Sequence, residues 1–90
     1  MGIMEKTVKE LERLRSAKNI RILSLKMSKD ASDIFFNSTE NYDMQKNKKY
    51  VTQFSGIDTF IDPYLSDVVV RVYYQTPVSS FNSIVLNGDN

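Results

Sequence analysis

Four apolar positions near the start of the chain, Met4, Val8, Leu11 and Leu14, recur at steps of four, three and three, which aligns them on one stripe of a helix. The spacing predicts a helix over residues 4–18. Between the apolar positions nearly every residue is charged, and Glu5 with Lys9, Lys9 with Glu12, Glu10 with Arg13 and Glu12 with Arg15 are opposite-sign pairs at helical spacing. So narrow a stripe suits a helix laid over a sheet. Two heptads are too short for the competing two-stranded coiled coil to hold without tertiary packing.

Beyond Asn19 the period changes. Residues 20–28 alternate apolar with polar and slip phase between Ile22 and Leu23, which predicts a strand carrying a bulge. No Gly or Pro precedes this run, so a helix continued to about residue 28 is the competing reading. Ser32 and Asp33 then lead into the short apolar run Ile34, Phe35 and Phe36. Residues 37–49 offer only Tyr42 and Met44 to a core, and read as a long polar loop of the mobile or functional kind.

From Tyr50 onward the pattern is that of strands. Runs at 50–54, 57–61, 68–75 and 81–86 are bounded by Ser55-Gly56, Asp62-Pro63, Thr76-Pro77 and Asn87-Gly88, predicting an antiparallel meander whose first turn is a tight hairpin. Val68, Val70, Val72 and Tyr74 share one side of the third run, which reads as the central strand, while Val69, Arg71 and Tyr73 share the other. The expected fold is α+β: one N-terminal amphipathic helix packed on an antiparallel sheet of four to six strands, in a single small domain over residues 1–90.

Composition supports a folded chain. Leu, Ile, Val and Phe make up 26 of 90 residues and the net charge is +1, far from the low-hydrophobicity, high-charge regime of disorder. The charge is segregated: residues 1–29 carry eight bases and three acids, residues 30–45 four acids and no base, and residues 50–90 four acids and the single base Arg71. The helix side is therefore expected to be positive and much of the sheet side negative, a polarity that steers partners unless the halves neutralise each other. No apolar run reaches the length of a membrane span, and the N-terminus turns charged at Glu5 and Lys6, so a cytoplasmic, membrane-free protein is expected. Lys6 stands where a myristoylation signal wants Ser or Thr, and Asn37-Ser38-Thr39 reads as a chance glycosylation match in the absence of a secretory signal.

The absence of His and Cys bears on chemistry. Ser-His-Asp and Cys-His triads have no members, and the common zinc sites have no ligands. Asp58, Asp62 and Asp67 are the carboxylates that could be drawn into a metal or glycosidase pair, but Asp62-Pro63 and Ser66-Asp67 are turn sequences and fit no calcium loop. Gly2, Gly56 and Gly88 form no phosphate-binding loop. Neither a cofactor nor a metal is expected.

Two binding readings remain. Val69, Arg71 and Tyr73, if they line an open sheet face, have the Arg and Tyr composition of protein interfaces, the competing view being an ordinary solvent face with Arg71 lying along a tyrosine. On this reading the chain is a non-enzymatic protein-binding module, a small adaptor, assembly component or inhibitor that docks through a sheet face or strand edge. Its richness in Asn, Lys, Ser, Ile and Tyr suits the AT-rich coding sequence of phage and mobile-element accessory proteins. The alternative is single-stranded nucleic-acid binding, with Lys46, Lys48, Lys49 and Tyr50 on the backbone and sheet tyrosines stacking on bases. A homodimer through the helix stripe or a free sheet edge is compatible with either.

Overall fold

A computed structural model describes residues 2–88. Its elements run α1 (Ile3–Ser16), β1 (Arg21–Met27), α2 (Lys29–Phe36), β2 (Met44–Lys46), β3 (Val51–Phe54), β4 (Ile57–Ile61), β5 (Val69–Thr76) and β6 (Ser79–Asn87). The six strands form one sheet in the order β2-β3-β4-β1-β5-β6, and both helices lie on the same side of it. The α+β class and the N-terminal helix on a sheet are as the pattern predicts.

Helix α1 buries Ile3, Met4, Thr7, Leu11 and Leu14, with Val8 packed at the margin. The stripe is thus wider than its apolar residues alone imply, because the Thr7 hydroxyl donates to the Ile3 carbonyl at 2.8 Å and so enters the core with its polar atom satisfied. Of the charge ladder, Arg13 bonds Glu10 through Nε at 2.9 Å. The chain stops being helical at Ser16 and reverses at Asn19, whose φ of 64° lies in the left-handed region that Asn tolerates. Asn19 supplies the break that the missing Gly or Pro left in doubt, and β1 follows as a strand. Its register slips between Ile22 and Ser24, the expected bulge.

Three features depart from the sequence reading. The run after Met27 is a second helix, α2, started by Ser28, whose hydroxyl accepts from the Ala31 N–H at 3.2 Å. Ala31, Ser32 and Phe35 give it a buried face too small and too polar in part to register as a periodic stripe. Residues 37–49 are no uninterrupted loop, because β2 forms within them and pairs with β3. The last four strands are no meander: β1 inserts between β4 and β5, parallel to β4 (Leu25 opposite Thr59) and antiparallel to β5 (Leu25 opposite Val72). The middle of the sheet is therefore β4 and β1, and β5 lies one strand from the edge.

The Ser55-Gly56 turn does close a two-residue hairpin, with Phe54 paired to Ile57 and φ of 54° and 76° at the two turn residues. Leu25, Met27, Val70, Val72, Val51 and Phe54 point from the sheet toward the helices, and Phe35 meets Phe54 edge-on with centroids 4.9 Å apart. Among the described residues, no helix is long and apolar enough to cross a membrane.

Candidate functional site

Strand alternation fixes what the other side of the sheet displays. Val70 and Val72 are fully buried under the helices, so Val69, Arg71 and Tyr73 emerge on the side that no helix covers. Register then lines up a row across four strands: Phe60 of β4 lies opposite Lys26 of β1, Lys26 opposite Arg71 of β5, and Arg71 opposite Val85 of β6. A second row runs from Ser24 through Tyr73 to Ser83. Phe60, Val85 and Phe81 are 53%, 48% and 87% exposed, large apolar side chains that folding leaves in water.

The centre of this face is cationic. Lys26 and Arg71 are direct cross-strand partners, an arrangement that is unfavourable for like charges unless something anionic offsets it. Among the described residues neither has a carboxylate within 4.0 Å. Lys26 Nζ lies over the Tyr73 ring, 5.6 Å from its centroid, and Arg71 Nη1 points at the Tyr73 hydroxyl at 3.5 Å, the outer limit of a hydrogen bond. The Arg71 Nε is buried and has no acceptor. The hydrogen bond to the Tyr73 hydroxyl, then the charge of Tyr73, raise the Arg71 pKa above its ordinary value; burial works against them and Asp62 adds to them. The expected negative sheet side thus has a positive centre, because Lys26 comes from the basic N-terminal third and the insertion of β1 carries it to the middle of the sheet, while Asp58 is exposed on β4 in the phase of Phe60.

A hollow of about 260 Å³ opens on the same face between Leu23, Ser24, Lys26, Tyr73 and Phe81. The bulge shapes it: Ile22 pairs with Tyr74 and Ser24 with Tyr73, so Leu23 falls in the register step and forms one wall of the hollow. Lys26, Leu23, Phe60 and Phe81 belong with the expected trio Val69, Arg71 and Tyr73. Their signal in the sequence was the phase slip at Leu23 and the outward phase of Phe60 and Phe81, but which strands adjoin β5 is information that only the topology holds.

The other expected site is split. Lys46 Nζ donates to the Phe36 carbonyl at 2.6 Å and lies over the Phe36 ring, so it satisfies the C-terminal end of α2. Lys48, Lys49 and Tyr50 sit in the β2–β3 turn, where the Asn47 side chain accepts from the Lys49 and Tyr50 N–H groups at 2.8 and 2.7 Å. A hollow of about 310 Å³ beside this turn is walled by Asn47, Lys48, Lys49 and Tyr50 alone. With no second element behind it, the hollow has nothing to hold a ligand against.

The candidate carboxylates stay apart in role. Asp62 accepts from the Tyr64 N–H at 2.9 Å as a turn residue, Asp58 accepts from the Gln53 amide at 3.1 Å across β3 and β4, and Asp67 sits at φ 61°. Among the described residues no group of three or more Asp and Glu side chains is arranged to hold a metal ion. Compared with protein-family models, curated proteins and solved structures, the chain finds no match in any of the three.

Proposed function

We propose that the chain is a non-enzymatic protein-binding module, an adaptor, assembly component or inhibitor, that docks through the helix-free face of its sheet. The observation that carries this reading is the paired cations Lys26 and Arg71, set in register with no carboxylate within 4.0 Å among the described residues and bordered by exposed Phe60, Phe81 and Val85. Isolated, the pair repels itself; a partner that presents a carboxylate between apolar side chains removes that repulsion and covers the apolar border together. Arg and aromatic side chains at the centre of a patch are the residue types that dominate interface energetics. The nucleic-acid alternative has less to stand on, because Lys46 is committed to α2 and leaves Lys48 and Lys49 as its cations.

The test compares the wild type with the double variant R71A/Y73A as bait in nuclease-treated lysate of the producing host. The expected result is a stoichiometric protein held by the wild type and lost by a variant that keeps a cooperative thermal transition. Equal capture by both baits sinks the reading, and so does a variant that unfolds, since that face is then structural. A K48S/K49S variant titrated with labelled single-stranded oligonucleotide at two salt concentrations tests the alternative, which requires a measurable affinity that falls steeply with salt and with the substitutions.

A further inference from the structure

The two edges of the sheet differ. Strand β2 is three residues long, ends in Lys46 and is followed by Lys48 and Lys49, the charged, short edge that resists pairing with other chains. Strand β6 is nine residues long, Ser79–Asn87, and contains no charge, no proline and no glycine. In its ladder with β5 the Gly88 N–H bonds the Val68 carbonyl at 2.8 Å, which sets the alternation: Leu86 and Ile84 bond inward, while the backbone groups of Ser83, Val85 and Asn87 turn outward. The outward carbonyl of Asn87 accepts from Lys6 Nζ at 2.7 Å, and the Phe81 carbonyl accepts from the Ser79 hydroxyl at 3.2 Å. Among the described residues the outward backbone groups of Ser83 and Val85 have no partner, and the Phe81 carbonyl, with one lone pair on the Ser79 hydroxyl, keeps its second for another donor.

We infer that β6 pairs with β6 of a second copy of this chain, antiparallel about a two-fold axis at Ser83, joining the two sheets edge to edge. Three observations select a second copy over a foreign strand. A two-fold contact brings the residue on its axis beside its own twin, so a charge at the centre of the strand would repel itself, and β6 has none. The register centred on Ser83 sets Phe81 beside Val85 of the second copy, and Val85 beside its Phe81. The two exposed apolar side chains of this edge thus become each other's cover. The same register sets Asn87 opposite Ser79 of the second copy, whose N–H already donates to Thr76 Oγ and so does not compete with Lys6 for the Asn87 carbonyl, whereas a shift centred on Ile84 would set Phe81 against Asn87. Ser83 then exchanges both its outward backbone bonds with its twin, and Val85 exchanges its own with Phe81.

The experiment reads mass by sedimentation equilibrium over a hundredfold range of concentration up to about 0.1 mM. The wild type is expected to form a dimer. Ser83 is exposed and its backbone N–H faces away from β5, so S83K and S83D keep the fold. Each alone sets two like charges opposite one another across the axis and is expected to be monomeric, and an equimolar mixture of the two is expected to restore the dimer mass. Circular dichroism of each variant confirms its fold. A wild type that is monomeric throughout overturns the proposal. Dimers of S83K and S83D as strong as the wild type also overturn it, because the contact then lies elsewhere. The proposal shares Phe81 and Val85 with the border of the helix-free face but uses none of Lys26, Arg71 and Tyr73, so R71A/Y73A should dimerise like the wild type.

Discussion

Ser28 shows how much one small residue can decide. It ends β1 and begins α2, and the two elements compete for its carbonyl. The carbonyl goes to the helix, accepting from the Ser32 N–H at 2.9 Å, so the next rung of the β1–β5 ladder lacks an acceptor. The hydroxyl replaces it: Ser28 Oγ accepts from the Val69 N–H at 3.1 Å while also accepting from the Ala31 N–H, and the Ser28 N–H bonds the Val69 carbonyl at 2.9 Å. At 1% exposure there is no water to take over either role. S28A should therefore cost about 2 to 3 kcal/mol, more than the ~1 kcal/mol of an ordinary N-cap, because it strands a strand donor as well as a helix donor. A urea titration followed at 222 nm reads this as a lower midpoint with unchanged slope, and a loss below about 1 kcal/mol would show that the two bonds carry no such load. Ser28 also bonds Val69 in both directions, so the same residue helps fix the phase that turns Arg71 and Tyr73 to the open face. Alternation alone groups Val69, Arg71 and Tyr73 on one side but leaves open which side is core, and the burial of Val70 and Val72 decides it.

At the scale of elements, the sequence shows what is local and hides what is not. The β3–β4 hairpin is local: Ser55 and Gly56 both take positive φ, and the turn follows from their identity. Arg15 then ties the end of α1 to it, donating to Ser55 Oγ at 2.8 Å and to the Ser55 carbonyl at 2.6 Å. Replacing Gly56, at φ 76°, with Ala meets no atom within 4 Å, so the cost is backbone strain alone. G56A should lose about 1 kcal/mol, read as a fall of several degrees in melting temperature; an unchanged transition would mean that the turn relaxes to another type. Helix α2 was hidden for a different reason. Its eight residues bury Ala31, Ser32 and Phe35, and its termini are satisfied from outside, by Ser28 at one end and Lys46 at the other. Lys46 looks like part of a basic loop in the sequence because its partner, the Phe36 carbonyl, is a backbone atom that no side-chain pattern announces. The hollow at Leu23 was half legible, as a phase slip without a known neighbour.

For the whole molecule the decisive event is the insertion of β1 between β4 and β5. Consecutive strands with short connections favour a meander, and β2–β3, β3–β4 and β5–β6 obey; the run from Ile61 to Val69 must step past β1. What holds β1 in place is burial. Leu25 and Met27 have no exposed surface, both helices pack over them, and both sides of the strand are bonded. Its pairing with β4 and β5 joins residues 25–27 to residues 59–61 and 70–72, so the centre of the sheet forms only when distant segments meet. The core of β1 and β5 should thus open only when the whole molecule unfolds, while β2, three half- to fully exposed residues on an edge, opens by itself. Native-state hydrogen exchange checks this directly: amides of Leu25, Met27 and Val72 should share one free energy equal to that of global unfolding, and those of Met44–Lys46 should exchange with a much smaller one. If the β1 amides exchange well below the global value, the strand is a detachable insertion between two hairpins. The cation pair it completes at Lys26 and Arg71 would then come and go with it.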